Sequence, residues 1–125
     1  MERRVFLNDG RNAQERFVPI PHLLVTATTL GAAQTLYTVR SGVALEIKRL
    51  AVCGVDSGTI ALSLHSIPDG GTANNGTLEL NQYPISSHGS VDLTDVIGGF
   101  YAEGTVLKVF STASVVMHGY ARELL

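Results

Sequence analysis

The side chains most able to do chemistry in this 125-residue chain are four histidines, one cysteine and two nearby aspartates. His22, His65, His88 and His118 are scattered, and none stands at metal-ligand spacing from another. Side-chain zinc sites draw on clustered Cys and His, so no metal is expected. His65 and His118 alternate with apolar neighbours, which suits a structural or half-exposed role. His88, in Ser87-His88-Gly89, reads as a solvated turn residue. Asp92 and Asp95, within VDLTD, could form a carboxylate pair for acid–base work. No base, nucleophile or ligand set accompanies them, so Asp95 is expected to cap the short turn that follows. Asp56 and Asp69 sit beside Ser or Gly and are expected to bond their own turn backbone. Cys53 alternates into a strand as a small hydrophobe. There is no Gly-x-Ser-x-Gly elbow and no glycine-rich loop leading into a helix that would cradle phosphate. Tyr83, beside a proline, is the tyrosine placed to stack on a sugar; Tyr37, Tyr101 and Tyr120 suit strand packing. With no convergent acid, base and nucleophile, the expectation is a protein that is not an enzyme and needs no cofactor.

Composition narrows the partners. The net charge is −2 and the pI about 6.0, which is no electrostatic footprint for nucleic acid. A single cysteine allows no intrachain disulfide. The opening MERRVFLNDGRNAQERF lacks the apolar core of a signal peptide, and no apolar run approaches the roughly 20 residues of a spanning helix. A soluble chain made in the cytoplasm is expected, with no membrane partner. Charged residues are 16%, against about 25% in soluble domains. Either some surface is buried against neighbours, or the surface is a neutral one rich in Ser and Thr.

Two regions must position these residues. Residues 1–22 carry Arg3, Arg4, Arg11 and Arg16 beside apolar Val5, Phe6, Leu7, Phe17, Val18 and Ile20. Pro19 and Pro21 force extended backbone around Ile20. This reads as an extended N-terminal arm, with Arg3, Arg4, Val5, Phe6, Arg11, Arg16, Phe17, Val18 and Ile20 as candidate partner-binding residues. The other reading is a first edge strand folded back on its own domain. Residues 23–125 hold short β-rich runs separated by turn signals, about eight in all, which predicts a single all-β domain, a sandwich or a barrel. In the long run 43–55, Leu45 and Ile47 fall on one parity and Leu50 and Val52 on the other. Lys48-Arg49 sits at the slip, as at a β-bulge. The stretch 68–76 is the richest in turn residues, and 96–99 suits one short helical turn.

The stretch TLYTVRSGVALEIKRLAVCGVDSGTIALSLHSIPDGG, followed by YPISSHGSVDLTD and EGTVLKVFSTASVVMHGYARELL, resembles a module of small structural proteins of tailed bacteriophages. The resemblance covers roughly residues 35–123 and rests on turns and strand rhythm; Arg40 stands where a proline is common. It implies a jelly-roll-like β-sandwich in the virion, made in the host bacterial cytoplasm. The roles it implies are capsid decoration (cement), head or neck fibre, and tail or baseplate part. The implied partners are the major capsid protein or other virion proteins, and copies of the chain itself, a trimer being favoured. The arm would add contact area by strand addition, and its arginines would pair with acidic patches. A receptor- or glycan-binding module at a fibre or baseplate tip is the alternative. No catalytic residues follow from the resemblance.

Overall fold

Runs that alternate apolar and polar residues become strands with one face turned inward. A computed structural model describes residues 15–56, 58–86 and 88–125. The strands are β1 (Glu15–Val25), β2 (Gln34–Thr38), β3 (Ala44–Gly54), β4 (Ile60–Ile67) and β5 (Leu78–Ile85). They continue as β6 (Ser90–Asp92), β7 (Phe100–Tyr101), β8 (Val106–Ser111) and β9 (Val115–Leu124). Three-residue 3-10 turns at Leu30–Ala32, Asn75–Thr77 and Thr94–Val96 are the described helical segments. The expected all-β sandwich is the architecture observed.

The pairings are nested and all antiparallel. β1 pairs with β9, β2 with β8, β3 with β6 and β7, and β4 with β5. Two further pairings, β3 with β9 and β4 with β8, join this ribbon to itself. The result is one sheet in the order β1-β9-β3-β6, with β7 also on β3, and a second in the order β2-β8-β4-β5. A ribbon wrapped so that its halves face each other is a jelly roll.

The inner faces meet in one apolar core. β4 contributes Ile60, Leu62 and Leu64, β8 Leu107 and Val109, and β9 Val115, Met117 and Ala121. β3 contributes Leu45 and Ile47 on one parity, Leu50 and Val52 on the other, all fully buried. That is possible because the β3–β9 register shifts between Ile47 and Arg49. The extra residue turns the second half of the strand over, as a bulge does. Each buried aliphatic contributes roughly 1.5–3 kcal/mol, so an unbroken strand would forfeit two large contributions by facing Leu50 and Val52 outward. The expected bulge is present where the parity slip placed it.

The expected boundary at residue 22 falls inside β1. Residues 15–22 run along β9, and Ile20, 1% exposed, belongs to the chain's own core with Val25. β1 is a sheet edge, where Pro19 and Pro21 are tolerated because an edge leaves donors unpaired in any case. Its register shifts between Ile20 and Leu23. Arg3, Arg4, Val5, Phe6 and Arg11 lie outside the described residues. Two local expectations are corrected. The 3-10 turn lies at Thr94–Val96, with Leu93 and not Asp95 at its cap and no side chain capping it. Asp56 accepts a bond from the Ser114 amide at 2.8 Å, tying two distant turns together.

β9 runs between β1 and β3, with Gly119 opposite Ile20 on one side and Leu50 on the other. A Cβ at Gly119 would run into the Arg49 carbonyl. Gly119→Ala should therefore lower stability by about 3 kcal/mol or more in urea unfolding. Gly31→Ala, with nothing within 4 Å of its added Cβ, should change it by less than about 1 kcal/mol. Equal effects at the two glycines would contradict the close approach.

Candidate assembly surface

Side chains that alternate out of the core on β1 and β9 share the outer face of the first sheet. On β1 these include Phe17, His22 and Leu24; on β9, Val116, His118, Tyr120 and Arg122. Phe17 and Leu24 are 60% and 53% exposed, and Tyr120 45%. The Phe17 and Tyr120 rings meet edge-to-face, centroids 6.2 Å apart, a geometry aromatic quadrupoles favour. His22 and His118 stack at 4.2 Å with 15° between their planes. They are far apart in sequence and meet because the irregularity at Pro21-His22 carries His22 alongside β9. Phe100 of β7 is 58% exposed and lies at the far side of the same sheet, opposite Glu46.

The charges on this face are paired with one another. Arg122 reaches Glu46 at 2.6 Å and Glu15 at 3.2 Å; Lys48 stands 3.7 Å from Glu46, and Arg49 pairs with Asp92 at 3.2 Å. The exposed Arg49–Asp92 pair contributes little stability, typically below about 1 kcal/mol, whereas Arg122–Glu46 is partly buried. Their effect is to leave the face without an uncompensated charge.

At one end of the sandwich a carboxylate is buried. Glu123, 1% exposed, continues the inward row of β9. Arg16 of β1 donates to it at 2.8 Å, and Arg40, just after β2, donates from Nε to both its oxygens at 3.1 Å. One carboxylate thus ties together β1, β9 and the connection leaving the opposite sheet. Burial by itself pushes the Glu123 carboxyl up. The hydrogen bonds and charges of Arg40 and Arg16 outweigh that and hold it below its ordinary value.

The candidate partner-binding residues that the structure describes fall into three situations. Phe17 is exposed on the outer face, Val18 is half-buried against the core, and Ile20 is inside it. Arg16 is 57% exposed yet donates to the chain's own Glu123. Its pairing, and that of Arg40, carried no local sequence signal, because the acceptor lies 107 and 83 residues away.

On the outside of the second sheet the segment 68–77 meets β4 at His65. His65 points out of the core yet is 2% exposed. Its Nδ1 lies 2.8 Å from the Thr77 hydroxyl, and its ring stacks near Phe110. Burial lowers the His65 pKa, only partly offset by the Asn74 backbone. Beside this loop is a groove of about 390 Å³ walled by Ile67, Asp69, Thr72, Val106 and Lys108. Tyr83 packs half-buried against the core and is not an exposed platform for stacking on a sugar. Cys53 is half-buried on the outer face of the first sheet. Among the described residues, no three metal-ligating side chains come together.

No protein-family model and no curated protein matches this sequence. Solved structures do match in fold. One is a chain of the 2.6 Å structure of T=1 particles derived from infectious bursal virus, with TM-score 0.56 and 9% identity over 97% of this chain. Another is a chain of infectious bursal disease virus strain Gx, with TM-score 0.55 and 10% identity over 95%. This chain spans about a third of the length of each, 33% and 34%. At such identity the likeness is one of fold.

Two titrations follow from these environments. Native Glu123 holds its proton less readily than the unfolded chain. Its contribution is complete above the ordinary value of 4.5 and is lost as pH falls through the lower native value. Glu123→Gln should cost about 2 kcal/mol at neutral pH and remove that acid dependence from urea titrations. Native His65 also resists protonation, so stability should decline as pH falls from its ordinary value of 6.5 toward the lowered native one. His65→Gln should flatten the stability profile there; an unchanged slope would assign it to another group.

Proposed function

We propose that the protein is a structural component of a bacteriophage virion, most specifically a capsid decoration protein. It would bind the shell and copies of itself through its β-sandwich and N-terminal segment. The observation that carries this reading is the superposition of nearly the whole chain, as a jelly roll, on part of chains that belong to virus particles. The tailed-phage assignment draws on the sequence resemblance over residues 35–123. The exposed ring cluster on the first sheet and the charge-paired surroundings are consistent with a role in contact, not catalysis.

In this reading Arg3, Arg4, Val5, Phe6 and Arg11 extend the contact beyond the sandwich, the arginines by charge-assisted bonds to acidic shell groups and the apolar side chains by burial. Phe17 adds to the same surface. A truncation meant to test this must end before Glu15, because Ile20 and Val25 belong to the core.

A fibre or baseplate module that binds a receptor or glycan is the second reading. The groove edged by Asp69, Thr72 and Lys108 favours it, its volume being near the low end of small-molecule sites, about 300–1,000 Å³. A glycan array probed with the intact chain separates the two.

The full chain should co-sediment with phage particles lacking it. Replacing Arg3, Arg4 and Phe6 together by Ser should weaken that binding at least tenfold, since the loss of about 1.4 kcal/mol already does so. Binding at full strength by the triple variant would remove the arm from the proposal, and no binding by the wild-type chain would remove the decoration role.

A further inference from the structure

We propose that the outer face of the first sheet docks a second copy of this chain, strand face to strand face about a two-fold axis. The contact strip runs along two adjacent strands: Phe17, His22 and Leu24 on β1, with Tyr120, His118 and Val116 on β9. Phe17, His22, Leu24 and Tyr120 are exposed, so a row of rings and aliphatic side chains stands in water on one face. Scattered apolar residues are ordinary on a surface; a contiguous strip marks a contact.

Charge selects the occupant. The strip contains no Asp, Glu, Lys or Arg. Around it stand Glu15, Glu46 and Asp92 against Lys48, Arg49 and Arg122, three acids and three bases, each in an ion pair within the chain. A strongly acidic or basic partner would find no complementary field here. A second copy brings an equally neutral face and meets no repulsion.

The order of side chains along the strip is self-complementary in the sense a two-fold contact requires. Tyr120 and His118 lie near its middle, Phe17 toward one end, and Leu24 with Val116 toward the other. An axis between Tyr120 and His118 lays Phe17 on the second copy's Leu24 and Val116. It lays Tyr120 on the stacked imidazoles formed there by His22 and His118. Apolar meets apolar and ring meets ring in both halves of the contact, with Arg122, the cross-strand neighbour of Phe17, bringing its stem to each end and its charge to Glu46 and Glu15 of its own chain.

Size sets the strength. A strand rises about 3.3 Å per residue and neighbours lie about 4.8 Å apart, so two adjacent strands of 11 and 10 residues make a strip of order 350 Å² projected area. Stable pairs bury about 800 Å² per partner. The dimer is therefore weak and reversible, the kind of contact that gains from being repeated many times in an assembly. It does not depend on a virion, and it is measured on the isolated chain.

The test is sedimentation equilibrium of the full chain from about 1 µM, where a millimolar-to-micromolar contact is open, to several hundred micromolar, where it closes. The weight-average mass should rise from 13.3 kDa toward twice that value. Phe17→Asp and Leu24→Asp should each weaken association at least tenfold. Leu30→Asp, beside the second sheet, and a Val5→Asp, Phe6→Asp double variant should leave it unchanged. In the wild-type protein, amide NMR shifts that move with concentration should map to β1 and β9, which keeps the test decisive if a variant fails to fold. A monomer at every concentration overturns the proposal. So does association that survives both strip variants, that is lost in Leu30→Asp or in the double variant, that exceeds a dimer, or that maps to the second sheet.

Discussion

The backbone of β9 passing between β1 and β3 is the constraint on which the rest of the molecule depends. At Gly119 the approach to Arg49 is so close that hydrogen replaces a side chain. From this strand the first sheet takes its register on both sides. Its inward row supplies Val115, Met117 and Ala121 to the core and ends in Glu123, which reaches across to Arg40 near the opposite sheet. Its outward row supplies Val116, His118 and Tyr120 to the exposed face. One strand thus sets the core, the clasp at its end and the surface.

The clasp shows how a buried charge is tolerated. Removing a carboxylate from water is costly, and only ample donors offset it. Glu123 has three such bonds from two guanidiniums, each of which keeps part of its surface in solvent. The arrangement joins elements at both ends of the chain without sealing three charges in the core.

What was legible in the sequence is what local pattern encodes. The parity slip at Lys48-Arg49 announced the bulge because a strand has period two and one extra residue must show. Runs ending in Asp-Ser-Gly or Pro-Asp-Gly-Gly announced their turns by backbone preference. The two-residue β7 carries no period at all and went unseen. The ambiguity over residues 15–22 could not be settled locally either: Phe17, Val18 and Ile20 signal a need for burial but not which surface supplies it, and in the structure Ile20 goes to the core while Phe17 stays outside. The His22–His118 stack, the Glu123–Arg40 bond and the Asp56 tie to Ser114 join residues 58 to 96 positions apart. Only the nested topology brings them together.

That nesting also governs how the molecule comes into being. β1 is made early, but its partner β9 is the last of the described strands to leave the ribosome. Until then β3 has only the short strands β6 and β7 beside it. Such an order means slow closure, with the longest loop closed last. The prolines of β1 gain a second meaning here. While the strand waits, Pro19 and Pro21 make it a poor template for pairing with the same strand of another nascent chain. That protection acts before any native contact exists.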